Sequence, residues 1–165
     1  MALRLILMRH AKSDWANHKL SDHDRPLNER GRRSAPLMAK HLANHYLAPQ
    51  AIVASTAVRV RETLVLMLAE WPYDPEVFFE QSLYLASVET LVSHVRGLHD
   101  GWSDALIVGH NPGLTDFVSR LAGRPVEMPT AAVAVATSNE ESWTDAVAAR
   151  SWQLTAHWRP RDLFD

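Results

Sequence analysis

The chain contains no cysteine, which excludes disulfides, thiolate nucleophiles and cysteine-ligated zinc. It has no long hydrophobic run. The apolar stretch at residues 3–8 is too short for a signal peptide and far too short to span a membrane, so cytoplasmic residence with no membrane partner is expected. Neither sign of charge dominates. With a formal net charge of -2 there is no reason to expect nucleic acid as a partner, and a phosphate site would need locally clustered positive charge. There is no internal repeat, no low-complexity tract and no Gly/Ser linker, and the sequence carries neither a P-loop lysine pattern nor an HExxH zinc motif. A length of 165 residues fits a single domain over 1–165, and 47% apolar with 22% charged residues is ordinary globular composition.

What the chain does have is histidine, nine residues of it, so imidazole chemistry is the natural place to look. Residues 3–8 form a buried first strand, and 9–26 is a polar loop without a period. Asn28 is an N-cap for a helix in which Met38, Leu42 and Tyr46 recur at helical spacing. Pro36 inside that helix predicts a kink or a later start near Ser34. Residues 51–54 form a second strand, running through Ser55 and Thr56 into a helix near 57–70. A third strand falls at 77–79, and Ser87 caps a helix near 88–99. A fourth strand at 105–108 ends in Gly109-His110-Asn111-Pro112-Gly113, with a short helix near 114–122 after it. Residues 132–137 and 150–157 are spaced as a hairpin joined by a polar loop at 138–146.

Alternating strands and helices predict an α/β fold: helices on both faces of a mostly parallel sheet, with an antiparallel portion near the end. Ligands of open α/β sheets bind at the carboxyl ends of strands. Three segments with reactive side chains lie there: Arg9-His10 after strand one, 55–59 after strand two, and His110 after strand four. Two guanidinium groups and two imidazoles converging on one sheet edge would make a pocket for a multi-oxygen anion. Arginine offers a permanently charged planar fork of donors. Histidine serves as nucleophile when neutral and as donor when protonated.

These residues carry a resemblance. Leu7-Met8-Arg9-His10-Ala11-Lys12-Ser13 is similar to the signature of the histidine phosphatase superfamily, an apolar strand followed by Arg-His-Gly. Residues 55–63, Ser-Thr-Ala-Val-Arg-Val-Arg-Glu-Thr, resemble that family's second block, and Val108-Gly109-His110-Asn111 its third. The segment 24–31 resembles the lead into the first helix. The blocks occur in the family's order, and the short length with Asp24-Arg25-Pro26-Leu27 looks most like the SixA-type phosphohistidine phosphatases. The resemblance implies a phosphoglycerate mutase-like α/β/α sandwich and a phosphatase that needs no metal and no cofactor. In it His10 attacks phosphorus and carries the phosphoryl group, while Arg9, Arg59 and His110 bind its oxygens. The implied partner is a phosphorylated protein, such as a phosphohistidine carrier domain in signal transduction. A small phosphate ester or a non-catalytic phospho-binding module are the alternatives.

Two departures from the family pattern stand out. Ala11 replaces the usual glycine, and Leu85 occupies the position where many relatives carry the glutamate general acid. Glu80, Glu89, Asp22 and Asp24 are the candidate substitutes. An acid is dispensable if the leaving group is an imidazole already protonated on its other nitrogen, whereas an alkoxide needs a proton donor. Only 50 residues separate Arg59 from His110, too few for the helical cover of phosphoglycerate mutases, so an open pocket is expected. His41 and His45 stand at i, i+4; a helix surface is the expected setting, and a metal pair the lesser one. His18, His23, Asp22 and Asp24 are expected on a solvated rim, Arg30, Arg32 and Arg33 on a helix face, and the tryptophans at 143, 152 and 158 in packing or on the surface.

Overall fold

The computed structural model describes residues 2–164. Its centre is one six-stranded sheet in the order β3-β2-β4-β1-β5-β6. The strands are β1 Leu3–Arg9, β2 Ala51–Ser55, β3 Glu76–Glu80, β4 Asp104–Gly109, β5 Val133–Ser138 and β6 Gln153–Trp158. The β1, β2, β3 and β4 strands run parallel; β5 is antiparallel to β1, and β6 is antiparallel to β5.

Because successive strand residues face opposite sides, the unbroken apolar run Leu5–Met8 of β1 feeds two cores. Leu5 and Leu7 pack with Ile107, Leu91, Val95, Leu114, Phe117 and Trp143 on one face. Ile6 and Met8 pack with Val108, Met38, Leu42, Leu64 and Met67 on the other. The first face is covered by α3 Val88–Arg96, α4 Gly113–Ala122 and α5 Trp143–Ala149. The second is covered by α1 Glu29–Asn44 and α2 Val58–Leu68, with the short α6 Pro160–Leu163 against α1. This is the three-layer α/β/α arrangement expected from the alternation of elements. Among the described residues, no helix is long and apolar enough to cross a membrane.

Helix α1 starts where the cap predicts, with the Asn28 side chain accepting from the Gly31 amide at 2.9 Å. It does not start late: it runs through Pro36, which forfeits one backbone hydrogen bond. Its first turn is tied down elsewhere. The Leu27 amide donates to Glu62 at 2.7 Å, and the Arg32 guanidinium donates to the Leu27 carbonyl at 2.9 Å. The buried stripe of Ala35, Met38, Ala39 and Leu42 holds the rest, leaving Pro36 only partly buried.

The expected hairpin needs a second correction. Strands β5 and β6 do pair antiparallel, but their connection contains α5 rather than only a polar loop, and β6 begins at Gln153. Ser142 caps α5 by accepting from the Asp145 amide at 3.0 Å, and Arg150 closes it in the left-handed region. Trp143 is what the helix delivers: it is fully buried, and its indole N–H donates to the Trp102 carbonyl at 3.0 Å.

Candidate active site

The parallel strands β1, β2 and β4 present their carboxyl ends side by side, and the reactive residues stand on them. Arg9 ends β1 and His10 follows it; Ser55 ends β2; Gly109 ends β4 and His110 follows. The His10 amide donates to the Gly109 carbonyl at 3.3 Å, and the Ala131 amide donates to the Arg9 and His10 carbonyls at 3.1 and 2.9 Å. The two histidines are therefore fixed by the sheet itself, with ring centroids 5.2 Å apart.

Two glycines let other elements close on this edge. A Cβ on Gly31 would lie 2.2 Å from the Lys12 carbonyl oxygen, so α1 reaches the loop after β1 only because that atom is missing. A Cβ on Gly113 would lie 1.9 Å from the Ala86 carbonyl oxygen, so the start of α4 likewise presses on the segment carrying Tyr84 and Leu85.

Arg59 is the hub. It sits in the first turn of α2 and is only 3% exposed. Its Nε donates to His10 Nε2 at 3.3 Å and its Nη2 to His110 Nδ1 at 3.3 Å. Its Nη1 donates to the Asp22 carbonyl at 2.7 Å, and Nη2 also reaches Asp22 Oδ2 at 3.1 Å. The Thr63 hydroxyl donates to the Arg59 carbonyl at 2.6 Å and accepts from the Ala11 amide at 3.1 Å, which locks α2 to the loop after β1.

These contacts assign the imidazole tautomers. A guanidinium can only donate, so His10 Nε2 and His110 Nδ1 are the acceptors. His10 Nδ1–H then donates to the Ala11 carbonyl at 2.7 Å, and His110 Nε2–H donates to Ser55 Oγ at 2.7 Å. An imidazole that is to attack through one nitrogen needs the other held as N–H, and the carbonyl of the next residue holds it. Burial holds His10 neutral, with its pKa lowered to about 3; the Ala11 contact opposes this, while His110, Arg59 and Arg9 add to it. His110 is also pushed down to about 3, by burial and then by Arg59, against the pull of Asp22. His110 is thereby held neutral, with Nδ1 accepting from Arg59.

Arg9 is less constrained. It makes one long contact of 3.5 Å to the Met128 carbonyl, and its Nε is buried with no partner. That N–H therefore keeps its donor capacity, in a residue that lines the same cleft as Arg59.

The sequence assigned no contact to Arg25 or Tyr84 and left Asp22 as one of several candidate acids. All three belong to the site. Asp22 Oδ1 accepts from Arg25 Nε and Nη2 at 3.1 and 3.0 Å, and Oδ2 accepts from Arg59 and from the Tyr84 hydroxyl. Burial would raise the Asp22 carboxyl, but Tyr84, Arg59 and Arg25 outweigh it and hold it ionised, down at about 2. Arg25 is 7% exposed, and its Nη1 donates to Ser13 Oγ at 2.8 Å. Three guanidinium groups set against one carboxylate leave a local excess of positive charge despite the net charge of -2. The Asp-Arg-Pro-Leu block was the available signal for Arg25. Tyr84 had none, because it meets Asp22 from 62 residues away.

The other candidates lie apart or at the rim. His23 accepts from or donates to Thr56 Oγ1 at 2.9 Å and packs edge-on against Tyr84. Glu89 pairs with Arg120, and Glu80 lies in a separate groove of about 650 Å³ between β3 and α3 that includes none of the four predicted site residues. The His41 and His45 rings lie tilted with centroids 4.2 Å apart beside Trp158, and among the described residues no group of three or more potential ligands is placed to hold a metal.

The four predicted residues share one open cleft of about 560 Å³, lined also by Lys12, Ser13, Trp15, Asp22, Arg25, Leu85, Asn111, Pro129 and Thr130. A cleft with an excess of guanidinium groups, two neutral imidazoles and an unpaired buried N–H suits a tetrahedral oxyanion.

Comparison with known proteins gives the class that this arrangement defines. Residues 5–81 match the model of the histidine phosphatase superfamily (branch 1). An uncharacterised chloroplastic protein of Arabidopsis thaliana is 34% identical over 88% of this chain and 71% of its own length. The putative phosphohistidine phosphatase SixA from Nakamurella multipartitia superposes with a TM-score of 0.85 at 26% identity, covering 97% of both chains. The putative SixA from Agrobacterium tumefaciens does so with a TM-score of 0.83 at 27% identity, covering 96% of this chain and 98% of that one. The chain belongs to the histidine phosphatase superfamily, with the SixA-type fold, and its class of activity is that of a phosphatase.

Proposed function

We propose that this protein is a metal-independent phosphatase that removes the phosphoryl group from protein phosphohistidine and carries it on His10. The supporting observation is the combination of a nucleophile that is ready with an acid that is missing. His10 Nε2 keeps its lone pair, because Nδ1–H is committed to the Ala11 carbonyl. Among the described residues lining the cleft, Asp22 is the only carboxylate, and it is held ionised.

In the first step the His10 Nε2 pair forms a bond to phosphorus while the substrate P–N bond breaks. Its electron pair returns to the substrate nitrogen, and the ring, already protonated on its other nitrogen, leaves as neutral imidazole. Phosphoryl transfer between two imidazoles joins like to like, so neither direction requires a proton donor. An alkyl ester would have to expel an alkoxide, for which the cleft offers no carboxylic acid. Arg9, Arg59 and His110 bind the equatorial oxygens, where the transferring group carries its charge. When an anion draws Arg59 Nη2 toward itself, His110 Nδ1 is released to take up a proton and become a donor. In the second step water attacks phosphorus, the pair returns to His10 Nε2, and both water protons leave on dihydrogen phosphate.

The test is incubation with a histidine-phosphorylated carrier domain labelled with ³²P, beside simple alkyl phosphates. Expected are release of phosphate from the carrier, weak ester hydrolysis, and a base-stable, acid-labile label on the wild type but not on His10→Ala. Efficient alkyl ester hydrolysis with an untouched carrier would refute the substrate, and a labelled His10→Ala protein would refute the nucleophile.

A further inference from the structure

The mouth of the cleft carries two apolar side chains that core packing does not account for. Trp15 is 69% exposed and Leu85 is 53% exposed, yet both line the cleft that contains His10. Neither is free to drift. The Trp15 ring covers the Arg25 guanidinium at 3.4 Å from its centroid, and Arg25 is itself pinned by Ser13 and Asp22. Leu85 has φ 50°, in the left-handed region that β-carbon-bearing residues rarely adopt. Its neighbours enforce this. Tyr84 is bound to Asp22 and packs edge-on against His110 with centroids 5.2 Å apart, and Ala86 is pressed by Gly113. The fold therefore tolerates backbone strain to hold an isobutyl group at the mouth of an otherwise polar site.

Asp22 cannot serve the leaving group instead. Its two oxygens already accept from four donors, which fills the lone-pair capacity of a carboxylate. The apolar surface left for the departing group is that of Trp15, Leu85 and Pro129, beside the polar side chains of Lys12, Asn111 and Thr130.

We infer that Trp15 and Leu85 form a leaving-group subsite that selects a planar imidazole ring, with the indole face against the ring. The inference rests on the phosphohistidine reading and adds the residues that confer its selectivity. Apart from the phosphoryl transfer already written it requires no new bond. The protonated ring is attracted to the indole face, and it loses that attraction when it departs neutral.

The test compares two P–N substrates that share the transferred group: phosphoramidate, whose leaving group is ammonia, and N-phosphoimidazole. The readout is the ratio of their kcat/KM values, since a defect in phosphate binding moves both together. In Trp15→Ala the preference for N-phosphoimidazole should fall about 3–10-fold, the range given by one aromatic contact, and Trp15→Phe should restore most of it. Leu85→Ala should lower it in the same direction. Because both side chains are exposed, the variants are expected to melt near the wild type, which a thermal scan checks. A ratio unchanged in both alanine variants, or a loss equal on the two substrates, overturns the subsite and leaves the phosphohistidine reading standing. A wild type that cleaves neither P–N compound but hydrolyses alkyl esters overturns that reading and the subsite with it.

Discussion

Replacing Arg59 by lysine separates charge from geometry at the hub of the site. The guanidinium reaches four acceptors at once: His10 Nε2, His110 Nδ1, and the carbonyl and carboxylate of Asp22, at 2.7 to 3.3 Å. An ammonium at the end of a straight stem is a point charge that can meet one or two of these. The variant keeps the positive charge and the burial but loses the fork, and with it one preorganised donor to the transferring phosphoryl group. Loss of one such donor elsewhere amounts to roughly 2.7–4 kcal/mol of barrier, so kcat should fall about 10²–10³-fold. Arg59→Ala should fall at least as far. Lysine should recover no more than about 10-fold over alanine, because positioning rather than net charge is what phosphoryl transfer demands. Asp22 keeps Arg25 and Tyr84 as partners in both variants, so the protein should remain folded. The assay is single-turnover release of ³²P from the labelled carrier, with a melting curve alongside. A lysine variant within about 10-fold of wild type would show that charge alone suffices and that the fork argument is wrong.

Leu85→Glu would place a carboxyl group at the cleft mouth and should raise alkyl phosphate hydrolysis at least about 10-fold, short of the roughly 10²–10⁴-fold of a fully positioned general acid; no gain on an ester panel would count against the missing-acid argument. Acid should weaken the fold. His10 and His110 have folded pKa values near 3, below the unfolded value, so their neutral forms are favoured in the native state, and stability intact above about pH 6.5 is lost as pH falls toward 3. Between pH 7 and pH 5 each withdraws up to about 2 kcal/mol, measurable as a falling urea midpoint, and His10→Gln should remove its share of the slope. Gly113→Ala drives a methyl group to 1.9 Å from the Ala86 carbonyl oxygen and should destabilise by about 1–3 kcal/mol while displacing Leu85. A wild-type melting temperature in that variant would mean the contact relaxes freely.

Most of the sheet was legible because each strand carries a local signature. The run at 3–8 is short and apolar but for Arg4, 51–54 and 105–108 are apolar throughout, and each is followed by polar residues that suit a strand end. The rule that ligands bind at strand carboxyl ends then brought Arg9, His10, Arg59 and His110 together before any coordinates. The support around them was not legible. Asp22 lies in a loop without a period, and its partners Arg59 and Tyr84 stand 37 and 62 residues away. Helix α5 was missed because seven residues give too little period to set against the polar stretch before it. That burial holds His110 neutral was not legible either, because the sequence does not report burial.

One strand runs against the rest, and its direction decides which kind of loop meets the substrate. Since β5 is antiparallel to β1, the catalytic edge receives the segment that enters β5, residues 129–131, whereas the other sheet neighbours contribute segments that leave their strands. Pro129 and Thr130 thus line the cleft from the entering side, next to Ala131, whose amide holds the Arg9 and His10 carbonyls. The reversed strand makes one border of the cleft an entry segment that is stitched to Arg9 and His10 through the Met128 carbonyl and the Ala131 amide.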